Sequence, residues 1–167
     1  MRYDGGMPYL IDGNNLMHAM GDLCQDVGRL SLCQHLSPLV RAGDRVTVAF
    51  DGVRPPAGLA AQIDALGIEV IYCPDFPADE AIIDRLRADS APRRLTVVSS
   101  DREIRKAARA RRCRDVTSQI FAVQLSDMLL ASPGAKRKPE PSEKREGLSD
   151  EQTQEWLNTF GFPADDE

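Results

Sequence analysis

The stretch VTVAFDG at residues 46–52 decides the fold. Val46–Phe50 is a near-continuous apolar run that stops at Asp51-Gly52, a turn-forming pair. An alternating pattern would leave one face in water. This run asks for cover on both faces, the condition of a parallel sheet held between helices. Tyr9–Ile11, Ile68–Tyr72 and Leu95–Val98 read the same way, and Asp115–Thr117 reads as a short fifth strand. Helical patterns separate these runs. The expected class is therefore α/β: a doubly wound, mainly parallel sheet of about five strands with helices on both faces.

The first helix is expected from about Leu16, after the turn cluster Asp12-Gly13-Asn14-Asn15. A second covers about Val27–Val40, with Leu32, Leu36, Leu39 and Val40 apolar and Pro38 near its end. Gly58–Leu66 follows, closed by Gly67; then come Ala78–Arg87, Arg102–Arg112 and a last helix through about Leu130. Residues 1–131 thus form one domain. Residues 132–147 (SPGAKRKPEPSEKREG) read as a Pro-rich charged linker. In residues 148–167, Ser149-x-x-Gln152 opens a short helix bearing Trp156, Leu157 and Phe160, and an acidic tail follows.

Composition narrows the function classes. The 167 residues contain no apolar run long enough to span a bilayer, and MRYDGGMPYL has no signal-peptide pattern, so the cytoplasm is expected and no membrane partner. Cys24, Cys33, Cys73 and Cys113 include no C-x-x-C pair, and with only two histidines they read as reduced, partly buried thiols rather than zinc ligands. The net charge of −5 is uneven: residues 148–167 hold six acids and no Lys or Arg, leaving 20 acidic against 21 basic side chains in residues 1–147. A polyanionic substrate is permitted.

The acids at the strand ends are the strongest functional signal. Asp12, Asp51, Asp79 (with Asp75 before it) and Asp101 stand at or just past the ends of four strands, and in a parallel sheet those ends share one edge. Carboxylates gathered there repel unless protons or cations neutralise them, which makes them candidate ligands for a divalent metal. Helical phase ranks the third position: Ile82, Ile83 and Leu86 centre an apolar stripe in which Asp79 also falls, while Glu80 and Asp84 point roughly 100–140° away. Each acid also has a purely structural reading. Asp12 suits an Asx turn, Asp51 a β-turn and Asp79 a helix start, while Ser100-Asp101-Arg102-Glu103 reads as a capping box. Their common edge favours function.

Arg102, Arg105, Lys106, Arg109 and Arg112 fall within about 120° of one another, opposite Ile104, Ala107 and Ala108, and suit phosphate contacts as well as a solvated face. No Gly-rich nucleotide loop and no G-x-S-x-G elbow occurs, and neither histidine lies beside a nucleophile.

Asp12-Gly13-Asn14-Asn15, FDG at 50–52, ADEAIIDRL at 78–86 and VVSSDREI at 97–104 together resemble the NYN domain, in its YacP-like branch of the PIN-like nuclease superfamily. The resemblance covers about residues 8–131. It implies a PIN-like sandwich and a Mg²⁺- or Mn²⁺-dependent endoribonuclease acting in RNA processing or ribosome-associated mRNA decay, with RNA as partner and the ribosome as a further one. Carried over by motif, Asp12, Asp79 and Asp101 hold one or two metal ions, and Asp51 completes or borders the site. Asn15 and Ser99 or Ser100 orient a ligand or water. A fourth carboxylate near the fifth strand is missing unless Asp115 serves. The rival reading is a catalytically silent NYN-like module that binds RNA or a ribosomal surface.

Overall fold

The computed structural model describes residues 6–21 and 28–131. Cys24, the linker and the C-terminal helix expected from sequence lie outside them. The described elements run β1 (Pro8–Asp12), α1 (Gly13–Gly21), α2 (Arg29–Arg41), β2 (Arg45–Asp51), α3 (Ala57–Asp64), β3 (Glu69–Cys73), α4 (Ala78–Ala88), a 3₁₀ turn (Pro92–Arg94), β4 (Thr96–Val98), α5 (Arg102–Ala110), β5 (Arg114–Val116) and α6 (Ser118–Ala131). All five strands are parallel, in the order β3-β2-β1-β4-β5. The chain therefore winds outward from β1 in one direction and then restarts at β4 on its other side. That reversal opens a crevice at the carboxyl ends of β1 and β4.

Alternation along each strand feeds two cores. Ile11, Val48, Phe50 and Val98 join Leu16, Leu32, Leu36, Ile63 and Phe121 on the face covered by α1, α2, α3 and α6. Leu10, Ala49 and Val97 join Ile82, Leu86 and Ile104 on the face covered by α4 and α5. Both faces of the sheet are covered, as the near-continuous apolar run of β2 requires. Among the described residues, no helix is long and apolar enough to cross a membrane. Cys33, Cys73 and Cys113 are buried free thiols, and burial pushes the Cys33 thiol up to about 11.

Several local expectations need correction. Asp12-Gly13-Asn14-Asn15 is not a separate turn: α1 starts at Gly13, because the Asp12 carboxylate accepts the Asn15 N–H at 3.0 Å and so starts the helix directly. The helix expected through about Val40 does run past Pro38, α2 ending at Arg41. Proline removes the N–H that would bond the Gln34 carbonyl, and the Ser37 hydroxyl supplies a replacement donor at 2.8 Å. α3 stops at Asp64, and Gly67 adopts its left-handed backbone (φ 73°) in the turn beyond. α5 ends at Ala110, so Arg112, at φ 60°, lies outside the helix whose stripe it was expected to extend.

Candidate functional site

β1 delivers Asp12 into the core beside the crevice, where its side chain is only 2 % exposed. Burying a carboxylate demands hydrogen bonds. Asp12 receives the Asn15 N–H, the Asn15 side-chain amide and the Ser99 hydroxyl, the last at 2.9 Å. Ser99 is itself fully buried and accepts the Asp101 N–H at 3.0 Å. One hydroxyl thus ties the acid ending β1 to the start of α5.

Asp101, not Ser100, caps α5: its Oδ1 accepts the Glu103 and Ile104 N–H groups at 2.7 and 3.1 Å. Ser100 instead donates to Gln119 at 2.6 Å and accepts from the Ser118 N–H at 3.3 Å, which anchors α6. The hydroxyl that reaches the acids is that of Ser99.

Asp51, at the end of β2, braces two helices. Its Oδ1 accepts the Ala78 N–H at 2.7 Å, satisfying an orphan donor in the first turn of α4, and its Oδ2 takes the Asn14 side-chain amide. Sequence reasoning missed both Asn14 and Arg29. The Arg29 guanidinium lies over the Phe50 and Tyr72 rings at 5.4 and 5.8 Å and donates to the Asp51 and Val53 carbonyls, holding the loop behind Asp51. An arginine following a glycine carries no local signal for such a role.

Asp79 occupies the place that helical phase assigns. Ile82 and Leu86 are fully buried and Ile83 packs beside them, Asp79 is half-buried at the head of that stripe, and Glu80 and Asp84 are exposed. Burial first, then repulsion from Asp12, Asp101 and Asp51 in that order, holds the Asp79 carboxyl above the ordinary aspartate value. Its carboxylate therefore senses all three of the others. Among the described residues none of these four acids has an ion-pair partner, and Asp79 makes no hydrogen bond.

Asp115 does not join them. It is paired with Arg105 and Arg109, which, Arg109 foremost, hold its carboxyl below the ordinary value. The basic stripe is correspondingly divided. Arg102 is exposed and has no ion pair among the described residues, Lys106 stands 4.0 Å from Glu103, and Arg105 and Arg109 share Asp115.

The donor chemistry suits a hard cation: carboxylates coupled by repulsion, without a neutralising Lys or Arg among the described residues. The spacing is wider than a closed cage, since among the described residues no three acid, His or Cys side chains gather as a ready ligand set. Mg²⁺ does not require such a set. It keeps several waters and is commonly held by one or two carboxylates together with substrate phosphate.

Comparison with known proteins agrees with this architecture. The crystal structure of Rae1 (YacP) from Bacillus subtilis, solved as a single-substitution mutant, is similar over 74% of this chain and 79% of that one, with 20% identity and a TM-score of 0.52. That likeness establishes the PIN-like α/β fold. No curated protein matches the sequence significantly. A family profile described as the YacP-like NYN domain matches residues 9–160, reaching into the segment read as linker and C-terminal helix. The chain belongs to the YacP-like NYN domain family, a branch of the PIN-like nucleases with a nuclease-like, RNA-related function.

Proposed function

We propose that the protein is a divalent-metal-dependent endoribonuclease that hydrolyses RNA phosphodiester bonds at the crevice between β1 and β4. One observation carries this reading: Asp79, on the inward stripe of α4, feels the charge of Asp12, Asp101 and Asp51, and none of the four has a cationic partner among the described residues. Mg²⁺ or Mn²⁺ held by Asp79 and Asp101, with Asp12 behind them, would supply an acidified water and offset charge on the leaving oxygen. Asn15 and Ser99 fix the Asp12 carboxylate, and Asp51 fixes the start of α4 and so the direction of Asp79. Arg102, Arg105, Lys106 and Arg109 on α5, with Arg112 beyond it, contact RNA phosphates next to the crevice. The family resemblance supports RNA processing or ribosome-associated mRNA decay as the setting.

The test is cleavage of end-labelled RNA by purified protein in Mg²⁺ or Mn²⁺. Cutting that leaves 5′-phosphate ends and disappears in both Asp79→Asn and Asp101→Asn is expected. Undiminished cutting by either variant sinks the assignment. The second reading, a silent module that binds RNA or a ribosomal surface, draws on the lack of a closed three-ligand set among the described residues. It predicts RNA binding without cleavage at any metal concentration.

A further inference from the structure

Two cations of α5 converge on a single atom. Arg105 turns its Nε and Nη2 onto Oδ2 of Asp115 at 3.1 Å each, and Arg109 turns its Nε and Nη2 onto the same oxygen at 3.1 and 2.9 Å. Asp115 sits in the middle of β5 with its side chain 16% exposed, against 61% for Arg109. The carboxylate therefore lies behind the two guanidiniums. Each arginine has five N–H donors in a rigid plane, and two of them are turned inward here, leaving three for another anion.

The outward edges share one space. Arg102, Arg105, Lys106 and Arg109 line an open groove of about 410 Å³, and Asp115 is not part of its lining. Arg105 and Arg109 lie four and eight residues past Asp101, about 6 and 12 Å along the helix axis. A phosphate in this groove would flank the one at the crevice rather than coincide with it. A phosphodiester presents two unbridged oxygens, which guanidinium edges bind side by side.

We infer that Asp115 is a positioning residue: it holds Arg105 and Arg109 as a two-pronged fork for an RNA phosphate flanking the bond that is cut. The inference rests on the RNA reading above. It makes a prediction opposite in sign to that of charge alone. Removing an acid makes the groove more positive, so charge alone predicts tighter binding of a polyanion. Removing the acid that orients the fork frees two long side chains that must then be ordered on binding.

The experiment is fluorescence anisotropy of a short labelled oligouridylate in EDTA over a salt series, with wild type, Asp115→Ala and Asp115→Asn, and circular dichroism as the folding check. Asp115→Ala should bind about fivefold more weakly despite its added positive charge. Asp115→Asn, whose amide oxygen still accepts from both arginines, should return to within about twofold of wild type. Charge alone predicts instead that both variants bind more tightly and that the salt slope steepens by about 0.7, the single-strand value per added charge. Asp115→Ala binding as well as or better than wild type overturns the inference. If that variant does not fold, Asp115→Asn decides: an affinity outside twofold in either direction overturns it. Absence of wild-type binding overturns the RNA reading along with the fork, whereas binding with the wrong order of variants overturns the fork only.

Discussion

Asp79→Asn should make the metal-free protein more stable than wild type and the metal-loaded protein less stable. In the folded chain the Asp79 anion is disfavoured by burial and then by Asp12, Asp101 and Asp51. Its place in the first turn of α4 works the other way, since an acid there gains about 0.3–1 kcal/mol from the helix start. The upward direction of its pKa means that repulsion and burial win. The side chain is only half-buried, so after discounting for solvent screening the asparagine gains about 0.5 kcal/mol at pH 7. That corresponds to about 2 °C in Tm. A carboxyl whose folded pKa is raised contributes stability below its ordinary value of 3.8 and loses it as pH rises through the folded value. The advantage of the variant is therefore present at neutral pH and absent below pH 3.8. Metal reverses the order. Mn²⁺ at about 100 times its Kd stabilises the wild type by about 2.7 kcal/mol, or about 8 °C, and a variant without the Asp79 oxygens keeps little of that shift. The assay is thermal unfolding in EDTA and in a Mn²⁺ series, where the two Tm curves should cross. A lower Tm for Asp79→Asn in EDTA, or a Mn²⁺ shift equal to that of wild type, would refute the reasoning.

Three further outcomes follow from the geometry around the crevice. A Cβ on Gly13 would lie 2.3 Å from the Phe50 ring and 2.8 Å from the Ala49 carbonyl oxygen, so Gly13→Ala should cost about 2–3 kcal/mol in urea unfolding; an unchanged midpoint would show that this close approach is not needed. Ser99→Ala takes a donor from Asp12 and an acceptor from the Asp101 N–H and should cost about 2 kcal/mol, while Ser100→Ala costs less than about 1 kcal/mol. Equal losses would contradict the separate jobs of the two hydroxyls. Asp51→Ala should cost about 1 kcal/mol through the start of α4 and retain the Mn²⁺ shift; a shift as small as that of Asp79→Asn would make Asp51 a ligand.

The strands and helices were legible because apolar runs and turn residues carry that information locally. VTVAF needs two covered faces wherever it sits, and the phase of Ile82, Ile83 and Leu86 orients Asp79 without knowledge of anything else. Contacts between distant residues were not legible. Nothing in the spacing of Asn14 and Asp51, or of Arg109 and Asp115, states that they meet, because those pairs exist only once β1 lies beside β2 and β4 beside β5. Ser99 and Ser100 are adjacent and chemically identical. Only the path of the chain leaving β4 decides which hydroxyl turns inward to Asp12 and which outward to Gln119.

From sequence, cap and ligand looked like competing explanations for each acid, but a carboxylate has two oxygens and about four acceptor sites. Asp101 spends Oδ1 on the Glu103 and Ile104 N–H groups, and that bond fixes the direction of Oδ2, which has no hydrogen-bond partner among the described residues. Capping there prepares a ligand atom instead of consuming one. Asp79 has neither oxygen engaged among the described residues, so repulsion from its neighbours acts on it without relief. Asp12 uses both oxygens, on Asn15 and Ser99, and can offer a cation only its remaining lone pairs from a nearly closed site. Asp51 also uses both, on two different helices, and moving either bond would disturb the start of α1 or α4. The four acids are thus unequal by hydrogen bonding alone: Asp79 and Asp101 can take a cation without giving anything up, Asp12 can support one, and Asp51 holds the frame in which the others face each other.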